Sequence, residues 1–177
     1  MIRFVAALAL CALLQAASVS RTTITAAEES LNRRLKALVP GEPYLVLGEA
    51  HGVYLDNFGL VLTASVNLVE GPNVSPFRQA ISPKERADLR QRKLDRLPKL
   101  RDVMREALVV SAGMVDTVPI NEQIVISVSL PRYHWEDVAG VPSQIVMQAS
   151  RLALVNVQVN PPKDAAAFNA VIRTREN

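Results

Sequence analysis

The chain opens on an unbroken apolar segment. Phe4 to Leu14 follow the basic residue Arg3, and small residues come directly after the run. A positive end, a short apolar run and small residues behind it are typical of a cleavable signal peptide. A membrane-spanning helix needs about 20 apolar residues, so an uncleaved anchor is the less favoured alternative. We predict a signal peptide over residues 1–20 and a single domain over residues 21–177.

The residues behind the apolar run leave the cleavage point open. Signal-peptide removal requires small side chains three residues and one residue before the cleaved bond. Ala16 and Ser18 satisfy this rule for one bond, and Ser18 and Ser20 satisfy it for another. Either product predicts a periplasmic or secreted protein, with an N-terminally membrane-anchored form as the alternative. Contact with a membrane is then expected only during export, through the signal peptide.

Two segments carry the spacing and capping residues of helices. Thr25 stands three residues before Glu28, a capping-box arrangement that predicts a helix from Thr25 to Pro40. Ser82 and Glu85 repeat the arrangement with Pro83 at the first helical position. This second helix should run to about residue 111, with a break or kink at Pro98.

Alternating apolar and polar positions predict the strands. The alternation between residues 44 and 69 favours a meander with strands at 44–50, 53–56 and 60–69, or one long hairpin with a bulge at Gly52. Later alternation predicts a hairpin from strands at 123–130 and 144–150, and a last strand at 153–159. A short C-terminal helix is expected after Asp164, through Phe168 and Ile172.

These elements predict an α+β fold. Strands occur in two groups separated by a helical segment, and each strand has one apolar face. We therefore expect an antiparallel sheet of about four to six strands, formed by the β-meander and the β-hairpin, with helices packed on one face.

Composition removes several classes of function. Cys11 lies inside the predicted signal peptide and is the only cysteine, so the mature domain would have neither disulfides nor thiolate metal sites. The formal charge of +3 falls to +2 with the loss of Arg3. Residues 84–106 are rich in basic side chains, but acidic residues four positions away match much of that charge and no aromatic residue interrupts the segment. We predict a solvated helix face and no nucleic-acid partner.

One short segment between the two strands of the predicted hairpin concentrates chemically versatile side chains, including the only tryptophan. As a functional segment it would bind a ligand through aromatic, imidazole and carboxylate groups. As a structural segment its two aromatic rings would plug the end of the core while its charges face water. The candidate residues are Tyr133, His134, Trp135, Glu136 and Asp137.

A weaker candidate is a metal site made by two turns. Side chains at Glu49 and His51 project from the same face of a regular strand, and His134 would have to meet them in the folded chain. Such a site would support a metal-dependent hydrolase that uses His51, His134 and nearby carboxylates. No ligand motif of recognised spacing is present.

The leading functional hypothesis is a non-catalytic module. The chain has no phosphate-binding glycine loop, no nucleophile elbow and no cysteine nucleophile, and no cofactor is predicted. The two strand groups instead share a face of small polar residues that suits contact with a protein partner or with a second copy of the chain. The residues of this predicted face are Thr63, Ser65, Asn67, Ser127 and Ser129.

Overall fold

The computed structural model describes residues 19–41, 46–72, 81–162 and 165–177. The described part of the chain is α+β, as the sequence predicts. Its elements in chain order are α1 (Arg21–Lys36), β1 (His51–Leu55), β2 (Gly59–Ser65), α2 (Pro83–Met114), β3 (Gln123–Ser129), β4 (Gln144–Ser150), α3 (Arg151–Val159), α4 (Ala165–Val171) and β5 (Arg173–Glu176).

The sheet is mixed. Its five strands lie in the order β1-β2-β3-β4-β5, and every neighbouring pair is antiparallel except β2 and β3. The prediction of an antiparallel sheet is therefore wrong at this one pair. The 32-residue helix α2 connects the two strands, and a crossover of that length returns the chain to the end of the sheet where β2 began. The predicted hairpin of β3 and β4 is confirmed.

The first strand group is one long hairpin. β1 pairs with β2 from His51 to Leu55, and a separate bridge joins Val46 to Val66. Pairing is interrupted at residues 48–50, whereas Gly52, the predicted bulge, lies within β1. The predicted meander is thus wrong over the described residues. The hairpin alternative is correct, except that its interruption lies at residues 48–50 and not at Gly52.

Helix α1 is capped five residues earlier than predicted. The Ser20 side chain accepts a hydrogen bond from the backbone N–H of Thr22 and so caps the helix. Thr25, the predicted cap, lies inside α1. The predicted capping partner, Glu28, is buried and accepts a hydrogen bond from the backbone N–H of Gly52, at 2.7 Å.

Helix α2 begins where the sequence places it. The Ser82 hydroxyl accepts from the backbone N–H of Glu85, and the Glu85 carboxylate accepts from the backbone N–H of Ser82. Of the predicted break or kink at Pro98, the break is wrong, because Pro98 lies inside one helix that continues to Met114. The buried apolar face of the helix extends on both sides of the proline, and this packing compensates for the lost backbone hydrogen bond.

We expect Ser82→Ala to lower the free energy of unfolding by about 1 kcal/mol, because a backbone donor at the start of α2 loses its acceptor. Ser129→Ala is the matched control, since Ser129 is exposed on the sheet and caps no helix. Urea denaturation of both variants beside wild type measures the difference. Equal midpoints for Ser82→Ala and wild type would contradict the capping role.

The segment predicted as a last strand at 153–159 is helix α3. Ser150 caps it by accepting from the backbone N–H of Ala153, and Leu154 and Val157 supply its buried side chains. Arg151 holds the helix start by donating to the backbone carbonyls of Ala112 and Val118. Tertiary contacts therefore override the strand preference of a valine-rich segment.

The C-terminal helix is confirmed as α4, which contains Phe168, while its predicted cap, Asp164, lies outside the described residues. Strand β5 follows it at the edge of the sheet and was not predicted from sequence. All four residues of β5 are exposed, so the strand carries none of the apolar alternation by which strands are recognised.

Helices α1, α2 and α3 cover one face of the sheet. That face is apolar in β2, β3 and β4, and its side chains form the centre of the hydrophobic core. None of the described helices combines the length and apolar character that crossing a bilayer requires. The covered sheet residues include Leu60, Leu62, Ile124, Ile126, Val128, Ile145 and Met147.

Candidate functional site

The second face of the sheet carries most of the predicted small polar residues and is a candidate contact surface. Residues paired across neighbouring strands point to the same side of a sheet, and none of the described helices packs on this side. We call this surface the open face. It consists of His51, Val53, Leu55, Val61, Thr63, Ser65, Gln123, Val125, Ser127, Ser129, Gln144, Val146, Gln148, Ser150, Arg173 and Arg175.

The side chains of the open face change from apolar at the β1 edge of the sheet to basic at the β5 edge. One register row runs from Val53 on the β1 edge, through Val61 and Val125, to Gln148 and Arg173 on the β5 edge. The next row ends on Arg175. None of the strand residues that form the open face is acidic. The face therefore presents an apolar strip at the β1 edge, hydroxyls and amides towards the centre, and a positive edge at β5, whereas Val125 in the central strand is buried.

The predicted small-polar face is present except for one residue. Thr63, Ser65, Ser127 and Ser129 lie on the open face, and Thr63 and Ser129 are exposed. Asn67 was predicted to join them but is buried beyond the end of β2, and its Oδ1 atom accepts no hydrogen bond. The alternation ends at Ser65 because β2 ends there.

The apolar strip is accessible at its β1 end. Val53 is 55% exposed and Leu55 is 47% exposed, although both belong to a paired strand. Phe58 in the adjoining turn is also exposed. Neighbouring exposed apolar side chains are a feature of contact surfaces.

The β1 edge of the sheet is partly blocked by α1. Arg21 donates to the backbone carbonyl of Gly52 at 3.2 Å, and Glu28 accepts from the N–H of the same residue. Arg21 and Glu28 also pair with each other at 3.0 Å. Both outward-facing backbone groups of Gly52 are thus satisfied, so this point of the edge cannot pair with a strand of another chain. Sequence reasoning did not assign this role to either residue, since Glu28 was predicted only as a capping partner of Thr25.

Charged side chains on β5 oppose pairing of this sheet edge with another chain. Arg173, Arg175 and Glu176 are exposed in a strand of four residues, and charged residues on a short edge strand oppose pairing with another chain. Glu176 lies on the helix side, where Arg101 of α2 donates two hydrogen bonds to it at 2.7 and 2.9 Å. These hydrogen bonds lower the pKa of Glu176 below its ordinary value of 4.5.

This pair should make stability depend on pH in the acid range. A carboxyl group with a lowered folded-state pKa stabilises the fold above its unfolded pKa, and the contribution is lost as the pH falls through the folded pKa. We expect Glu176→Gln to cost no more than about 1 kcal/mol at neutral pH, because the pair is partly exposed. The difference from wild type should shrink below about pH 4.5. Urea denaturation across this range would contradict the pairing if the difference stayed constant.

The aromatic pair of the 131–141 loop lies beyond the end of β3. The rings of Tyr133 and Trp135 are stacked, with centroids 5.5 Å apart and planes 3° from parallel. Trp135 is partly buried against the core and passes over Gly71, whereas Tyr133 is 54% exposed. Trp135 therefore matches the predicted core plug, and Tyr133 only covers it.

The plug interpretation expected Glu136 to face water, but the Glu136 side chain is buried. Its Oε2 atom accepts a hydrogen bond from Lys93 Nζ at 2.5 Å, and both side chains are at least 95% buried. The second oxygen, Oε1, is buried without a partner. The pair ties the loop to α2. Asp137 lies 3.8 Å from Arg90 and caps the backbone N–H of Ala139.

The basic residues of α2 were predicted to form a solvated helix face, but several of them bind distant parts of the chain. Lys93 reaches Glu136, Arg96 donates to the backbone carbonyl of Leu68 at 2.6 Å, and Arg101 reaches Glu176. These contacts span at least 28 residues along the chain. The helix charge thus holds the loops and β5 in place.

The three residues of the predicted metal site do not form one cluster in the structure. His51 is exposed on β1, Glu49 lies in the interruption before it, and His134 is exposed in the 131–141 loop. Across the described ranges, no three His, Cys, Asp or Glu side chains gather as a group that could hold a metal ion. The structure accordingly does not bring Glu49, His51 and His134 together at one centre.

Comparison with known proteins identifies no relative from which a role could be transferred. Neither a protein-family model, nor a curated protein, nor a solved structure matches the chain.

Proposed function

We propose that this chain is an exported, non-catalytic binding module whose open face docks on an acidic surface of a protein partner. The observation that carries the proposal is the chemistry of the open face, on which no described helix packs and which combines an apolar strip at the β1 edge with a positive β5 edge and no acidic open-face residue. Complementary charge gives such a contact its specificity and its association rate.

The shape of the open face favours a macromolecule over a small ligand. Five strands about 4.8 Å apart and up to seven residues long form a broad surface of about 20 by 23 Å. Small-molecule sites are concave, whereas a protein partner buries a broad patch. A patch of this size corresponds to a weak or transient interface unless neighbouring residues such as Phe58 extend it.

Charge argues against a second copy of the same chain as the occupant. In a two-fold symmetric contact the same face meets itself. Arg173 and Arg175 would then find no carboxylate among the open-face residues of the facing copy. Pairing through the sheet edges is opposed by the blocked Gly52 and by the charges of β5. A partner with its own acidic surface satisfies both arginines.

Export is the part of the proposal that rests on the sequence. The apolar run after Arg3 and the small residues behind it support removal of a signal peptide before the domain functions. The partner would then be a protein of the periplasm, the cell envelope or the extracellular space.

The test reverses the charge of the open face without touching the core. Arg173→Glu/Arg175→Glu is compared with wild type and with the control Arg33→Glu/Lys36→Glu, which makes the same charge change at exposed positions of α1. Tagged proteins are captured from an envelope extract of the native host, and retained proteins are quantified by mass spectrometry.

We expect an acidic protein to be retained by wild type and by the α1 control, and to be reduced at least tenfold with the open-face variant, since opposed like charges cost several kcal/mol. Raising the salt concentration should weaken retention in the same way. Equal retention by the open-face variant and the control would overturn the proposal.

A further inference from the structure

We infer that the signal peptide is removed at the bond between Ser18 and Val19, so that the mature chain begins with Val19. The inference rests on the proposed export. Hydrolysis of this bond consumes one water molecule and leaves a carboxylate on Ser18 and a free ammonium group on Val19. The small side chains at positions 16, 18 and 20 allow this bond and the bond after Ser20 equally. The contacts that Val19 and Ser20 make within the fold distinguish the two products.

Ser20 belongs to the fold. Its hydroxyl accepts a hydrogen bond from the N–H of Thr22 at 3.2 Å, and its backbone carbonyl accepts from the N–H of Ile24 at 3.2 Å. The first of these caps α1 and the second is the first backbone hydrogen bond of the helix. A chain that begins at Arg21 lacks both acceptors. A chain that begins at Val19 keeps them.

Val19 also has a structural place. It directly precedes the N-cap, it is partly buried, and it packs against the hydrophobic core. Ile24, at the fourth helical position, is buried in the same core. A hydrophobic residue before the cap and another at the fourth position are the two members of a hydrophobic staple, which fixes the direction from which the chain enters a helix.

Electrostatics favours the same product. The α-ammonium group of a mature chain carries a positive charge near neutral pH. A start at Arg21 places this charge on the first residue of α1, where the helix dipole is also positive. The same residue's guanidinium binds Glu28 and Gly52 at the sheet edge, so the new charge would stand beside an existing one. A start at Val19 moves the ammonium group two residues away.

The direct test is the intact mass and N-terminal sequence of the protein purified from its native host. We expect a chain that begins at Val19. A start at Arg21, which is lighter by one valine and one serine residue, overturns the inference and leaves export standing. A start at any other residue behind the apolar run does the same. A chain that retains Met1 overturns export itself.

Two further measurements separate recognition from stability. Ala16→Leu removes a small side chain that only the bond after Ser18 requires, so the Val19 product should disappear. Chains released from a fusion partner with Val19 or Arg21 at the N-terminus should differ in thermal midpoint, with the Arg21 chain lower. A Val19 chain that carries Ser20→Ala should lie between them, because it loses the cap but keeps the staple. Equal midpoints for the first two chains would contradict the structural argument.

Discussion

Lys93→Met is expected to lower the free energy of unfolding by about 3–5 kcal/mol. The substitution removes the partner of a buried carboxylate, and an uncompensated buried charge is among the most costly defects that one change can introduce. Glu136 already has one unpartnered oxygen, and its side chain is only 3% exposed. Lys93 Nζ is thus its one described hydrogen-bond donor. Urea denaturation monitored by circular dichroism measures the loss.

The matched control is Lys99→Met, the same chemical change at an exposed position of the same helix. It should alter stability by less than about 0.5 kcal/mol. The double variant Lys93→Met/Glu136→Leu should recover most of the loss, because apolar residues of similar volume replace buried ion pairs well. Equal stability of Lys93→Met and Lys99→Met would show that the pair is not buried in solution.

Trp135→Ala is expected to cost about 2–3 kcal/mol. A fully buried tryptophan costs about 3–5 kcal/mol when truncated to alanine, and Trp135 is only partly buried, against the core and over Gly71. The stack on Tyr133 adds to the loss, since an aromatic pair contributes about 0.5–1.5 kcal/mol beyond the area that it buries. Thermal melts and urea denaturation should agree on the size of the effect.

His134→Ala is the control for Trp135→Ala, because His134 is exposed and lies between the two stacked residues in sequence. It should leave stability unchanged. Tyr133→Ala should cost less than Trp135→Ala, since more of its ring faces solvent. If Trp135→Ala were as stable as wild type, the ring would serve a ligand and not the core, and the structural interpretation of this loop would be wrong.

Elements that carry their own local signals could be predicted from sequence. The cap at Ser82 required only a serine, a proline and a glutamate at fixed spacing, and the structure has both capping-box hydrogen bonds with the proline at the helix start. Strands β2, β3 and β4 could be recognised because each buries one apolar face and carries most of its small polar side chains on the other. The α+β class followed from these elements.

The sequence-based predictions failed for elements whose conformation or pairing is decided by contacts with distant parts of the chain. A strand and a helix are both compatible with the valines of α3, and the contacts of Arg151 with the end of α2 and with the α2–β3 connection favour the helix. The parallel pairing of β2 and β3 depends on how α2 crosses the sheet. Strand β5 has no apolar face at all. None of these features has a signature within ten residues of sequence.

The candidate site was only partly predictable for the same reason. Four small polar residues of the open face were predicted, because strand alternation alone assigns them to one side. The arginines that make the face basic lie in β5, whose existence became apparent only from the structure. Lys93 and Glu136 are 43 residues apart, and their charged types predicted exposure, the opposite of what packing imposes.

Site-specific photo-crosslinking from the centre of the open face tests the central claim most directly. A photoreactive amino acid replaces Ser127, which lies in the middle strand of the sheet, and in a second protein it replaces Lys99, exposed on α2. Irradiation in the native host followed by mass spectrometry identifies whatever is linked. The account predicts an acidic protein linked from position 127 and not from position 99, and lost in the Arg173→Glu/Arg175→Glu background. Linkage of that protein from position 99 alone, or of a second copy of the chain from position 127, would contradict it.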